Sequence, residues 1–299
     1  MIQVNNVRFS YGKETVLNDI SFSVEKGSVY GFIGANGAGK TTMIRLLLGL
    51  IRQTQGSIRI QGATVCRSNF NYLRQVGSMI ENPSIYAALT AYENMSVYAP
   101  FYGLSRKELL SCLKKVGLNR YPDVPAGSYS LGMKQRLAFG MSLMHNPDLL
   151  ILDEPMNGLD PQGIAEMRSI LSELQEEGKT LFFSSHILSE MDSMCDAICV
   201  INKGQCLFQG TIDELKASNP SQRYRIKCSD PDRSVALLST VSTEPIERKK
   251  EDVLVCLDSK ERVPAMLTLL QENGVRVFEV FSTGDRLEDA YFNLLKKRI

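Results

Sequence analysis

The stretch Gly34-Ala35-Asn36-Gly37-Ala38-Gly39-Lys40-Thr41 constrains this chain more than any other. It fits the spacing G-x-x-x-x-G-K-[ST]. The apolar run Val29–Ile33 ahead of it reads as a buried strand, and Thr41–Leu50 behind it reads as a helix. In that setting the glycines let backbone N–H groups turn inward around phosphate oxygens, and the helix points its positive end at them. Lys40 is the cation for the β- and γ-phosphates, and the Thr41 hydroxyl is a ligand for Mg²⁺. Gly34, Asn36, Gly37, Ala38, Gly39 and Thr42 complete the cradle. The pattern specifies a nucleoside-triphosphate site and nothing finer.

A length of 299 residues allows one large domain, or one large and one small. With 43% apolar and 22% charged residues the composition is that of a globular protein. The balance of 34 basic against 33 acidic side chains creates no field to draw the chain to nucleic acid. No run approaches the roughly 18 apolar residues of a membrane span, and Met1–Ser10 lacks the pattern of a secretory signal, so the chain is expected in the cytosol. Seven cysteines, with no Cys-x-x-Cys pair, predict free thiols in a reducing compartment. The two histidines, His145 and His186, argue against a His-rich transition-metal site.

Val4–Phe9 and Val16–Val24 alternate apolar and polar residues around Gly12 and read as antiparallel strands, with Gly56–Gly62 a further strand. Leu73–Ile80 runs into a loop at Glu81-Asn82-Pro83. From about residue 90 to 145 the apolar spacing is helical, broken at Gly103, Gly117 and over 122–127, which predicts an inserted helical subdomain. Strand–helix alternation then resumes. Leu149–Leu152, Thr180–Ser184, Ala197–Ile201 and Gln205–Gln209 read as strands, with a helix over Gln162–Glu177 and another after His186. That alternation implies a mainly parallel, covered sheet. Asn219-Pro220-Ser221 reads as a linker. Beyond it, Tyr224–Cys228, Val253–Leu257 and Val275–Val280 read as strands, and Arg262–Asn273 and Leu287–Lys297 as helices. The expected domains are 1–218 and a small α+β domain over 219–299. Arg248-Lys249-Lys250, between Glu247 and Glu251, reads as a solvated turn.

Two further stretches carry chemistry. Leu149-Leu150-Ile151-Leu152-Asp153-Glu154 delivers two carboxylates at the end of a buried strand: Asp153 to hold Mg²⁺ through water, Glu154 to polarise an attacking water. Ser130-Leu131-Gly132-Met133-Lys134-Gln135-Arg136 heads a helix and, taken alone, is a helix cap.

Taken in order, these elements resemble the ABC ATPase family over residues 1–215. The Ser130–Gly132 loop resembles the ABC signature, with Leu131 and Met133 in place of the more common Gly and Gln. Tyr11 stands where the family stacks the adenine ring on an aromatic. Asn157-Gly158-Leu159-Asp160 resembles the D-loop, and His186 the switch histidine that touches the γ-phosphate. Glu81 occupies the position where most members carry Gln, beside Mg²⁺ and facing the membrane subunit. With Ser-Leu-Gly-Met-Lys-Gln, that Glu resembles the branch serving lantibiotic immunity and bacitracin resistance.

The resemblance implies an α/β ABC ATPase core with an antiparallel β subdomain and an inserted helical subdomain. It implies ATP and Mg²⁺ as ligands, Glu154, His186 and Glu81 as catalytic residues, and Thr41, Asp153 and Glu81 around the metal. Tyr11, the phosphate loop, Ser130, Gly132 and Asp160 would contact nucleotide. Two copies would close head-to-tail on two ATP, on a separate membrane permease at the cytoplasmic face, as a peripheral subunit with no nucleic-acid role. The substrate implied is a peptide antibiotic. The same ATPase serving a small drug, lipid or ion, or a soluble ABC protein acting on nucleic acid or ribosomes, stands as the alternative.

Overall fold

The computed structural model describes residues 1–66, 69–80, 84–121, 123–217, 222–242, 245–249, 251–282 and 287–296. Two compact units are present, Met1–Gly210 and Thr211–Ile299.

In the first unit, period-two burial builds an antiparallel sheet. Strands β1 (Ile2–Tyr11) and β2 (Glu14–Val24) form a hairpin that buries Ile2, Val4, Val7 and Phe9 against Leu17, Ile20 and Phe22. The register slips between Val4 and Val7, where Asn6 adopts φ 47°, so Val7 faces inward despite its odd spacing. The next strand, β3 (Val29–Ile33), is buried along its whole length and feeds helix α1 (Lys40–Leu47). Strands β4 (Gln55–Ile60) and β5 (Ala63–Thr64) then complete the antiparallel sheet in the order β2-β1-β4-β5.

After β6 (Val76–Met79) come three helices, α2 (Ala91–Tyr102), α3 (Arg106–Lys115) and α4 (Leu131–Leu143). Thr90 with Glu93, and Ser105 with Glu108, form reciprocal capping boxes that start α2 and α3, and Gly103 at φ 66° stops α2. The core continues through β7 (Leu149–Asp153), α5 (Pro161–Glu176), β8 (Thr180–Ser185), α6 (Leu188–Met194), β9 (Ala197–Asn202) and β10 (Gln205–Thr211). The six-stranded sheet has the order β10-β9-β3-β8-β7-β6, with β3–β8, β3–β9, β6–β7 and β7–β8 all parallel. Its central strands are apolar on both faces, as a covered parallel sheet requires.

The second unit opens with α7 (Ile212–Ala217), followed by β11 (Gln222–Cys228), α8 (Pro231–Leu238), β12 (Glu247–Lys249), β13 (Asp252–Leu257), α9 (Arg262–Glu272), β14 (Val277–Ser282) and α10 (Leu287–Lys296). The run β-α-β-β-α-β with sheet order β12-β13-β11-β14, every pair antiparallel, is the split-βαβ arrangement. Its own core is built from Tyr224, Ile226, Val253, Val255, Met266 and Leu270 among others. At Arg248 and Lys249 the expected turn is replaced by a strand, and Lys250 lies outside the described residues. Glu247–Lys249 is a strand paired with β13, and Arg248 reaches Asp232 at 2.6 Å. Charged side chains suit an edge strand as well as a turn, so charge alone did not distinguish them. Helices α7 and α8 were not anticipated. Asn219-Pro220-Ser221 lies outside the described residues. All seven cysteines are free thiols.

Candidate nucleotide site

The turn between β3 and α1 is held by conformation and by space. Gly37 and Gly39 sit at φ 79° and 110°, in the left-handed region that only glycine enters freely. A Cβ on Gly34 would meet the Ile201 carbonyl at 2.6 Å, so the loop lies directly against the end of β9. The turn that follows β9 supports it again, because Gly204 N–H donates to the Ala38 carbonyl at 3.1 Å. The α1 N-terminus, with no acidic side chain in its first turn, is left as a positive pole facing a cavity of about 1010 Å³.

Lys40, Thr41 and Thr42 open on this cavity from α1, and Asn36, Gly37 and Gly39 from the loop. Tyr11 enters from the end of β1, 48% exposed and set edge-on to Phe9 at 4.7 Å. Its outer face is therefore free for a planar ring. Asp153, Glu154 and His186 arrive from the ends of β7 and β8.

Lys40, Glu154 and His186 meet there. Lys40 is only 6% exposed. Its Nζ donates to the Gly34 carbonyl at 2.8 Å and lies 3.1 Å from Glu154 Oε1. Glu154 Oε2 lies 2.8 Å from His186 Nδ1. Glu154 holds φ 49°, a conformation that costs a non-glycine residue about 1–3 kcal/mol and persists where the surroundings over-determine it. The surroundings here include Ser184. The register pairs Asp153 with Ser184 across β7–β8. The Ser184 hydroxyl donates to Asp153 Oδ1 at 2.6 Å and accepts from the Glu154 N–H at 3.0 Å.

Asp153 provides the fit test for a metal. It is 1% exposed, and its Oδ2 is buried with no hydrogen-bond partner among the described residues. Such an orphaned acceptor is costly unless a ligand satisfies it. A hard divalent cation with its bound water suits a lone carboxylate oxygen in a cavity that Thr41 also lines, so the residues fit Mg²⁺.

The signature segment sits at the rim. Ser130 caps α4, accepting from Met133 N–H at 3.2 Å, and Leu131 lines the cavity with 53% exposure. A Cβ on Gly158 would lie 2.6 Å from the end of the Leu131 side chain, so the two loops pack closely at this point. Asp160 caps α5 through Gly163 N–H at 2.8 Å. Of the residues expected at the site, Gly34, Ala38, Ser130, Gly132 and Asp160 are not on the cavity wall, and Glu81 lies outside the described residues.

Ser184, Gln135 and Gly204 were not anticipated as site residues. Buried Gln135 donates from α4 to the Pro155 carbonyl at 3.3 Å and so touches the backbone just beyond Glu154. No local pattern marks these residues; their roles come from the strand order and from the packing of α4 on the sheet.

A phosphate loop, a strand-end carboxylate pair and a histidine around one cavity define a nucleoside-triphosphate-hydrolysing cassette. Comparison with known proteins narrows the class. Residues 17–157 match the family model described as ABC transporter. The bacitracin transport ATP-binding protein BcrA of Bacillus licheniformis is 38% identical, covering 99% of this chain and 97% of that protein. The lantibiotic transport ATP-binding protein SrtF of Streptococcus pyogenes is 45% identical, covering 71% of this chain and 92% of that protein. A solved ATP-binding subunit of an ABC transporter superposes with TM-score 0.66 at 30% identity, covering 73% of this chain and 92% of that one. The chain belongs to the ABC transporter family, as an ATP-binding subunit that hydrolyses ATP.

Proposed function

We propose that this subunit powers export of a peptide antibiotic through a separate membrane permease, as an immunity or resistance device. The observation that carries the ATPase half is the meeting of Lys40, Asp153, Glu154 and His186 at one cavity. The substrate half is supported by similarity over 299 residues to a bacitracin transport protein and over 213 residues to a lantibiotic transport protein.

In this reading Tyr11 stacks the adenine. The phosphate-loop amides and Lys40 hold the β- and γ-phosphates. Thr41 and Asp153 would hold Mg²⁺, which would supply positive charge against the phosphates. Glu154 takes the proton from the water that attacks the γ-phosphorus as the bond to the β–γ bridging oxygen breaks. His186, hydrogen-bonded to Glu154 Oε2, orients that carboxylate and reaches the γ-phosphate. Ser130 and Gly132 at the α4 N-terminus complete the ATP site of a second copy, and Asp160 supports that contact. Glu81 serves metal and permease together.

The ATPase domain spans 1–218 and the accessory domain 219–299, a division supported by the two compact units, with α7 grouped with the second. No described helix is long and apolar enough to cross a membrane, which suits a peripheral subunit at the cytoplasmic face.

The test is ATP binding and hydrolysis by the purified chain, and survival of cells challenged with bacitracin or a lantibiotic when it is expressed with its permease. Lys40→Ala should abolish ATP binding in a folded protein, since it deletes the phosphate-pairing charge. Unchanged affinity in that variant would sink the assignment. Cells that hydrolyse ATP through the complex yet gain no protection would point to the small drug, lipid or ion alternative.

A further inference from the structure

Glu14 opens β2 and lines the nucleotide cavity, yet hydrolysis as derived above has no use for it. Across the turn Gly12-Lys13 it stands opposite Tyr11, which lines the same cavity. Opposed residues of an antiparallel pair point to one face, with Cβ atoms about 4.5–5.5 Å apart. The next pair alternates as it should: Ser10 Oγ donates to Thr15 Oγ1 at 3.2 Å, and neither lines the cavity.

The strand also fixes which part of a nucleotide Glu14 would face. Two residues on, Val16 lines the cavity, and its carbonyl lies 3.3 Å from where a Cβ on Gly39 would stand. Val16 thus abuts the phosphate loop, and Glu14 lies about 7 Å further out along the strand, on the same face. Asp153 and Glu154 stand at the phosphate end, Glu154 at 3.1 Å from Lys40. Glu14 is exposed, and among the described residues no ion pair or hydrogen bond engages its carboxylate.

We propose that Glu14 is a base-reading residue: its carboxylate accepts a hydrogen bond from the exocyclic amine of an adenine stacked on Tyr11, and so selects adenine over 6-oxopurines. The inference rests on the reading of Tyr11 as the base platform. Stacking alone does not discriminate, because every base has a π-face. Adenine carries a donor at position 6, where guanine and hypoxanthine carry a carbonyl oxygen. An ionised carboxylate only accepts, so it pairs with the first and repels the second. Glutamine both accepts and donates, and would serve either base.

The experiment titrates the purified full chain with ATP and with ITP, whose bases differ at position 6, by displacement of a fluorescent ATP analogue. In Glu14→Gln the preference for ATP over ITP should shrink about fivefold, as expected for loss of one charge-assisted hydrogen bond at an exposed site. Part of that change should be a gain in ITP affinity, which a fold defect cannot produce. Removing a negative charge also favours any triphosphate, but by the same factor for both, so the ratio cancels it. Ribose is the other donor near this acid, and 2′-deoxy-ATP and 3′-deoxy-ATP test it. If Glu14→Gln narrows the preference for ATP over either deoxy form and leaves the ATP-to-ITP ratio unchanged, the carboxylate holds the sugar and the inference is overturned. Equal shifts for all four nucleotides, or none, overturn it as well and leave Glu14 a solvated acid. Tyr11→Ala separates the two readings. Parental ATP affinity in Tyr11→Ala would remove the platform and this inference with it. Weakened ATP binding in Tyr11→Ala, with an unchanged ATP-to-ITP ratio in Glu14→Gln, would sink the base-reading role alone.

Discussion

Lys40 has partners within its own chain. Its ammonium is satisfied by the Gly34 carbonyl and by Glu154, so incoming phosphates must take it from a carboxylate 3.1 Å away. Glu154→Gln removes that competitor along with the proton acceptor. Two effects should follow in one variant. Hydrolysis should fall by roughly 10²–10⁴, the usual loss for a general base. ATP affinity, measured by titration, should equal or exceed that of the unmodified protein. Weaker binding in Glu154→Gln would show that the Lys40–Glu154 contact does not oppose the nucleotide. Asp153 and Glu154 were legible as a pair because two acids ending an apolar strand are unusual. Ser184, which ties both to β8, was not, since a serine in a buried strand has no signal until the strand beside it is known.

At the scale of elements, two supports of the site are separately testable. Helix α4 presents Ser130 and Gly132 at its N-terminus, away from the wall of this chain's own cavity. Ser130→Arg or Gly132→Asp should therefore stop hydrolysis while monomer ATP affinity stays within about twofold, as a group acting only in the closed state would. An affinity loss as deep as that of Lys40→Ala would refute the action on a second copy. The β9–β10 turn is the other support. Gly204 holds φ 73°, packs its α-carbon against the Val16 backbone and donates to Ala38 O. Gly204→Ala adds a methyl where no space exists and should cost about 1–3 kcal/mol of stability, read by thermal melting. ATP binding should weaken with it, because the phosphate loop loses its backbone partner. A turn glycine in Lys203-Gly204 is ordinary in sequence; its bond to Ala38 arises only because β9 lies next to β3.

For the molecule as a whole, Glu81 joins chemistry to transport in the proposed scheme. Glu81→Gln keeps an oxygen for the metal and removes one negative charge. Basal ATPase of the complex should stay within about tenfold, or roughly 1.4 kcal/mol, while protection against the exported peptide falls further. Full protection in that variant would make the Glu an inconsequential exchange. Collapse of hydrolysis with binding intact would assign Glu81 to the chemistry alone.

The sequence by itself determined the elements whose signals are local. The phosphate loop needs glycine at positions 37 and 39 because only glycine turns that way cheaply. The hairpin around Gly12, the helical run of 90–145 and the apolar central strands follow from periodicity and burial. Motif order was enough to identify the family. Tertiary structure decided everything that depends on neighbours distant in the chain: the sheet order that sets Ser184 beside Asp153, the close packing of Gly158 on Leu131, and a second unit in which Glu247–Lys249 is an edge strand. Those pairings hold because strands and loops far apart in sequence are packed at van der Waals and hydrogen-bonding distance, and nothing in the local residue pattern encodes which partner will be there.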